Sequence, residues 1–185
     1  MGVSFSGELA YEIHVPNASL YAAYLALRQA GRVHGLKLFG ARAVESMRME
    51  KGFLHWKSEI LTEFDPYETG LDRFVKLEKG DFIGKDALLK RQKEGLRKKL
   101  VTLKVEATHA PARGGSSVMQ DGKVVGTVTS GDWGHRVGLN LAYAFVEPNL
   151  AAEGIKIQMD IYGDMVDVEV IAPSPYDPSL ARMRS

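Results

Sequence analysis

Glu12 stands in the stretch Gly2 to Val15, where Leu9, Tyr11, Ile13 and Val15 alternate with Ala10, Glu12 and His14. That period of two predicts a half-buried strand with Glu12 on the same face as Glu8, Ala10 and His14. A carboxylate so placed either meets solvent or offers two coplanar acceptor oxygens. Such a pair matches the adjacent N–H donors of an aminopyrimidine ring or a guanidinium fork. Arg42, Glu45 and Arg48 fall three residues apart, the spacing of a surface ion-pair ladder on a helix. Thr127, Thr129 and Ser130, between Gly126 and Gly131, read as plain strand and turn residues. His55-Trp56 lies in an irregular segment, where a large aromatic is either buried or part of a binding surface.

Other chemistries are excluded. There is no G-x-x-x-x-G-K-[ST] loop, no G-x-G-x-x-G and no G-x-S-x-G elbow, hence no nucleotide P-loop, dinucleotide fingerprint or serine-hydrolase nucleophile. The five histidines (His14, His34, His55, His109, His135) are scattered without i, i+4 spacing. Structural or solvent-facing roles are expected for them, and no metal site. With no cysteine in the chain, thiolate zinc, iron–sulfur and disulfide chemistry are also absent.

The elements that must position these residues change character near the middle. Ser19 can cap a helix in which Leu20, Tyr24 and Leu27 share one face and which stops at Gly31. A second helix is expected from Ala41 to Glu50, with Ala41, Val44 and Met47 as its apolar stripe. Residues 53–72 are irregular, Phe74 to Leu77 is a short strand, and Lys85 to Lys93 is a helix of good formers. Leu96 to Lys99 is a basic seam. Beyond it, strands are expected at Leu100–Val105, Val118–Gln120, Lys123–Thr129, Leu141–Val146, Ile155–Ile161 and Val166–Val170. Asp121-Gly122 and Tyr162-Gly163-Asp164 provide turns. The fold class expected is therefore α+β, an α/β segment followed by a small antiparallel β-barrel, with the boundary at residues 95–99. Two strands and three helices are too few for a self-contained first domain, so the chain is expected to be part of something longer.

The chain has 185 residues, 45% apolar and 25% charged, with a formal net charge of +1. That is ordinary globular composition. It lacks the lopsided basic surface of a nucleic-acid or anionic-membrane binder, so neither partner is expected. No apolar run reaches the roughly 20 residues of a membrane span, and the first residues do not resemble a secretion signal. A cytoplasmic location is expected.

Several stretches resemble one family. Ser6-Gly7-Glu8-Leu9-Ala10-Tyr11-Glu12-Ile13 is similar to the S/T-G-E-x-G-x-E-[IL] strand of the glycine-cleavage T-protein (aminomethyltransferase) superfamily. Ser46-Met47-Arg48-Met49-Glu50-Lys51-Gly52 resembles its S-L-R-L-E-x-G helix end. Lys79-Gly80-Asp81-Phe82-Ile83-Gly84-Lys85 resembles its K-x-D-F-I-G-[RK] stretch, and Gly126 to Gly131 its G-x-[VI]-T-S-G barrel strand. Within the superfamily, the nearer resemblance is to the folate-binding C-terminal part of dimethylglycine and sarcosine dehydrogenases or oxidases. It is carried by Glu50-Lys51-Gly52-Phe53-Leu54-His55-Trp56, Ala110 to Gly115, Trp133-Gly134-His135 and Tyr176-Asp177-Pro178. Stand-alone T-proteins more often have P-S-L where this chain has Arg136-Val137-Gly138.

The resemblance implies a partial ferredoxin-like segment of the aminomethyltransferase folate-binding fold over residues 1–97 and the family's C-terminal barrel over 98–185. It implies the portion of an FAD-dependent N-methylamine dehydrogenase that captures a one-carbon unit on tetrahydrofolate, giving 5,10-methylenetetrahydrofolate. FAD would bind only in an N-terminal portion of the same protein, and the family's catalytic aspartate would precede residue 1. No catalytic residue is therefore assigned, and these residues alone are expected to be inactive. By the resemblance, Glu12 matches the glutamate that grips the pterin ring. Phe5 stands at a position that is often a folate-contacting tyrosine, and Phe53 fits an aromatic slot. Arg42 neighbours the place of an arginine near the folate tail. Arg73 replaces an aromatic beside the folate, and Arg113 matches a polar barrel position. The alternatives are part of a stand-alone aminomethyltransferase or folate-dependent demethylase, and a non-catalytic folate-binding module.

Overall fold

The structure, a computed structural model, describes residues 4–184. The chain runs through helices α1 (Asn17–Gly31), α2 (Ala41–Glu50) and α3 (Lys85–Glu94). Six strands follow: β1 (Lys99–Val105), β2 (Ser117–Gln120), β3 (Lys123–Gly134), β4 (Leu139–Val146), β5 (Lys156–Ile161) and β6 (Asp164–Ile171). A last turn of helix, α4, covers Ala181–Arg184. The strands close an antiparallel barrel in the order β1-β4-β3-β2-β5-β6, with β6 pairing back to β1.

Local sequence explains the barrel. Val101, Leu103 and Val105 of β1, Ile157, Met159 and Ile161 of β5, and Val168 and Val170 of β6 alternate inward and form one core. In β4 the inward positions are small or β-branched (Ala142, Ala144, Val146), while Leu141 and Tyr143 on its other face pack with Met49 of α2. Because β4 is covered on both faces, it reads as a nearly unbroken apolar run rather than an alternation. Asp121 (φ 50°) and Gly122 (φ 73°) both take the left-handed conformation, which a type I′ hairpin turn requires and an Asp-Gly pair tolerates best.

The part before the barrel departs from expectation in four places. Residues 4–16 form no strand: the backbone bends over residues 5–9 and Tyr11 makes a single β-bridge, and Gly2 and Val3 lie outside the described residues. A strand needs a neighbour to complete its ladder, and the described residues before Lys99 contain no other strand to supply one. Phe74 to Leu77 is likewise not a strand: a 3-10 turn covers Asp72–Phe74 and extended backbone follows. Ser19 does not cap α1 with its side chain. Asn17 begins the helix directly after Pro16, and Leu20, Tyr24 and Leu27 remain exposed. Helix α2 has its expected bounds, but the face it buries carries Ser46, Arg48, Met49 and Glu50 rather than Ala41, Val44 and Met47. Two charged residues thus enter the interior at the contact of α2 with the barrel.

Candidate functional site

The first polar cluster centres on Arg48, whose side chain is 0% exposed. Its Nη1 donates to Glu59 Oε2 at 3.1 Å and to the Phe53 carbonyl at 3.2 Å. Nη2 donates to Ser130 Oγ at 2.8 Å, and Nε to Glu45 Oε1 at 2.9 Å. Glu59, also fully buried, accepts from the His55 amide at 2.7 Å, Thr129 Oγ1 at 2.8 Å and Ser130 Oγ at 2.5 Å. Consecutive strand residues ordinarily point to opposite faces. Here the β3–β4 register shifts between Val128 and Ser130, and this bulge lets Thr129 and Ser130 reach the same carboxylate. These residues are therefore not plain strand positions, and Arg42, Glu45 and Arg48 are not a surface ladder. Arg42 stays exposed, while Arg48 pairs in the interior with Glu59 and donates besides to Glu45, the Phe53 carbonyl and Ser130.

The second cluster joins both ends of the chain to α2. The buried Glu50 carboxylate accepts from the Arg136 amide at 2.5 Å and from Arg136 Nε. Arg136 Nη1 donates to Glu8 Oε1 at 2.8 Å and Nη2 to the Met47 carbonyl at 2.8 Å. The guanidinium lies over the Tyr176 ring at 3.8 Å, and the Tyr176 hydroxyl donates to the same Glu8 oxygen at 2.6 Å. Foremost that hydroxyl, and then Arg136, hold the Glu8 carboxyl below the usual carboxylate range. Lys51, also buried, binds Asp177 Oδ2 at 2.7 Å and lowers its pKa. A third pair fixes the entry to the barrel: Glu68 accepts from Arg97 at 3.0 and 2.9 Å. Burial opposes its charge, but the Arg97 fork outweighs burial and holds its carboxyl low.

The predicted site residues are dispersed around these clusters. Glu12 is 55% exposed, with His14 Nε2 at 3.3 Å from its carboxylate. Phe5 is half-buried, its ring centroid 6.2 Å from that of His55. Phe53, two residues before His55, gives its carbonyl to Arg48. Arg73 is exposed over the Phe74 ring at 4.8 Å and lines a cavity of about 270 Å³ together with Gly52, Leu54 and Tyr143. Arg113 is exposed in the loop between β1 and β2, over the Tyr162 ring at 5.9 Å. The structure thus brings Phe5, Phe53 and His55 to one region, with Arg73 on an adjoining cavity. Among the described residues, no hydrogen bond or ion pair links Arg42 or Arg113 to them. Trp56 is 69% exposed and projects from the same loop. No group of three or more His, Cys, Asp or Glu among the described residues could hold a metal ion, and no helix among them is long and apolar enough to cross a membrane.

Two family models match this chain: the GCVT N-terminal domain over residues 1–79 and the glycine cleavage T-protein C-terminal barrel domain over residues 98–177. The chain belongs to the glycine-cleavage T-protein family. Among T-protein relatives, mouse mitochondrial dimethylglycine dehydrogenase is 35% identical over 170 residues, covering 91% of this chain and 20% of that protein. Mouse mitochondrial sarcosine dehydrogenase is 35% identical over 190 residues, 98% of this chain and 21% of that protein. An aminomethyltransferase from Caldanaerobacter subterraneus is 35% identical over 157 residues, 85% and 42%. The chain thus spans about a fifth of the dehydrogenases and less than half of the aminomethyltransferase. The crystal structure of the glycine cleavage system aminomethyltransferase T from Bartonella henselae superposes with a TM-score of 0.84 over 95% of this chain and 48% of that one, at 24% identity. The T-protein fold, helices and bent segments ahead of a closed antiparallel barrel, is therefore the fold of this chain.

Glu8, Glu50, Lys51, Glu59, Arg136 and Tyr176 were not marked by chemistry in the sequence. A signal existed for some of them. Glu50 and Lys51 stand in the stretch Ser46 to Gly52 that carries the family resemblance. Arg136 and Tyr176 offered no comparable local cue, since their partners lie far away in sequence.

Proposed function

We propose that this T-protein chain is the folate-binding, one-carbon-transfer portion of an FAD-dependent N-methylamine dehydrogenase, forming 5,10-methylenetetrahydrofolate. The observation that carries the reading is the match to dimethylglycine and sarcosine dehydrogenases across 91–98% of the chain. Residues 1–97 would form part of the folate-binding domain and 98–185 the family's barrel, with the FAD-binding portion elsewhere in the same protein. A cytoplasmic location, tested by cell fractionation, completes the reading.

The residues present fit a reduced folate in chemistry. Glu12 keeps two acceptor oxygens within reach of solvent, as the N–H donors of a pterin head require. Phe5, Phe53 and His55 supply aromatic surface in one region. Arg42, Arg73 and Arg113 are exposed cations, suited to the carboxylates of a folate tail. Tetrahydrofolate would supply the amine nitrogens that take up the one-carbon unit. Glu12 would orient the ring, and orientation alone can supply much of the rate by making the encounter effectively unimolecular. Replacing Glu12 with Ala in the complete enzyme should weaken tetrahydrofolate binding by about 2–4 kcal/mol, because ring donors lose their partner. Calorimetry that finds the affinity unchanged sinks the role.

A second reading, part of a stand-alone aminomethyltransferase, is favoured by the equal 35% identity to that enzyme. A yellow flavin that copurifies with the complete protein decides for the first reading, and its absence for the second.

A further inference from the structure

Residues 4–16 carry Glu12 yet form no strand, and their single β-bridge is at Tyr11, so no continuous ladder fixes where that carboxylate sits. Beyond that bridge the segment is tied through side chains. Phe5 meets His55, Gly7 lies against the buried stem of Lys51, and Glu8 receives Tyr176 and Arg136. Tyr176 comes from the tail after β6, 168 residues away from Glu8 in sequence. The tail is itself docked on α2: the Tyr176 amide donates to the Glu50 carbonyl at 2.9 Å, and Asp177 binds Lys51. Arg136, between β3 and β4, bridges Glu8 and Glu50 while stacking on Tyr176.

Partly exposed ion pairs contribute little to stability, typically under about 1 kcal/mol. What this arrangement supplies is direction. A hydroxyl and a guanidinium converge on one oxygen of Glu8, the ring and the guanidinium stack, and each donor is anchored on a buried element. We propose that Tyr176, Arg136 and Glu8 form a clamp by which the C-terminal tail holds the segment bearing Glu12, making Tyr176 a positioning residue for folate binding. The inference rests on the role of Glu12 given above and adds to it a role for the tail.

The test uses the complete enzyme and tetrahydrofolate itself. Tyr176→Phe keeps the ring under Arg136 and removes only the hydroxyl that donates to Glu8. It should raise the calorimetric Kd for tetrahydrofolate by about 10-fold, and raise KM for the folate while kcat stays within about twofold. Glu8→Gln, which keeps the side chain's shape, should shift Kd the same way. Ile157→Val in the barrel core serves as a control that lowers the unfolding midpoint without touching the clamp, and it should leave Kd unchanged. The clamp is refuted if neither Tyr176→Phe nor Glu8→Gln moves Kd more than about twofold, or if Ile157→Val weakens binding as much. If Glu12→Ala weakens binding while Tyr176→Phe does not, only the clamp is lost. If Glu12→Ala also has no effect, the folate reading itself is lost.

Discussion

Arg48→Met tests how the α2–barrel contact is held. Methionine replaces most of the aliphatic stem of Arg48, so the main loss is the cation facing Glu59, with both side chains 0% exposed. Removing one member of a buried pair typically costs about 3–5 kcal/mol. Glu59 keeps Thr129, Ser130 and the His55 amide as donors, which places the expected loss at the lower end, about 3 kcal/mol, in urea titrations followed by circular dichroism. Arg48→Met/Glu59→Gln removes the orphaned charge together with the cation, and should recover about 1–2 kcal/mol of that loss. A deficit for Arg48→Met under about 1 kcal/mol, or a double variant no more stable than Arg48→Met alone, refutes the reasoning.

Three further outcomes follow from the same contacts. Glu8, Glu68 and Asp177 have carboxyls held below their ordinary values of 4.5, 4.5 and 3.8, so their contribution is complete above about pH 4.5 and is lost as pH falls through the lowered values. The thermal midpoint should be level from pH 7 to 5 and drop on further acidification, and a midpoint level down to pH 3 would contradict this. Gly7→Ala should destabilise by about 1–2 kcal/mol, because Gly7 has φ 80° and a Cβ there would lie 2.8 Å from Lys51 Cδ; a denaturant midpoint within error of the parent would count against that packing. Trp56 is largely exposed and Trp133 half-buried, so acrylamide should quench Trp133→Phe more steeply than Trp56→Phe.

The barrel was legible because its signals are local. Ile157, Met159 and Ile161 alternate within one strand, and Asp121-Gly122 names its own turn. Helix α2 was legible in its bounds but not in its buried face. Arg48 becomes an interior residue only because Ser130, 82 residues later, and Glu59 receive it, and no helical period carries that information. The alternation from Leu9 to Val15 was real but insufficient, since a strand depends on a neighbour that period cannot supply. Glu8 and Glu12 shared one pattern and one expected face. Their fates differ because Tyr176 and Arg136 come from distant parts of the chain to meet Glu8, while Glu12 keeps a largely exposed carboxylate. The candidate site residues were therefore named through resemblance, whereas the ion-pair clusters beside them left no mark in the sequence.

The most direct measurement is titration of tetrahydrofolate into the complete protein and into its Glu12→Ala form under one buffer and temperature. The account predicts saturable binding by the parent and a dissociation constant larger by roughly 30- to 800-fold in the variant. Equal affinity in the two proteins, or no binding by the parent, contradicts it.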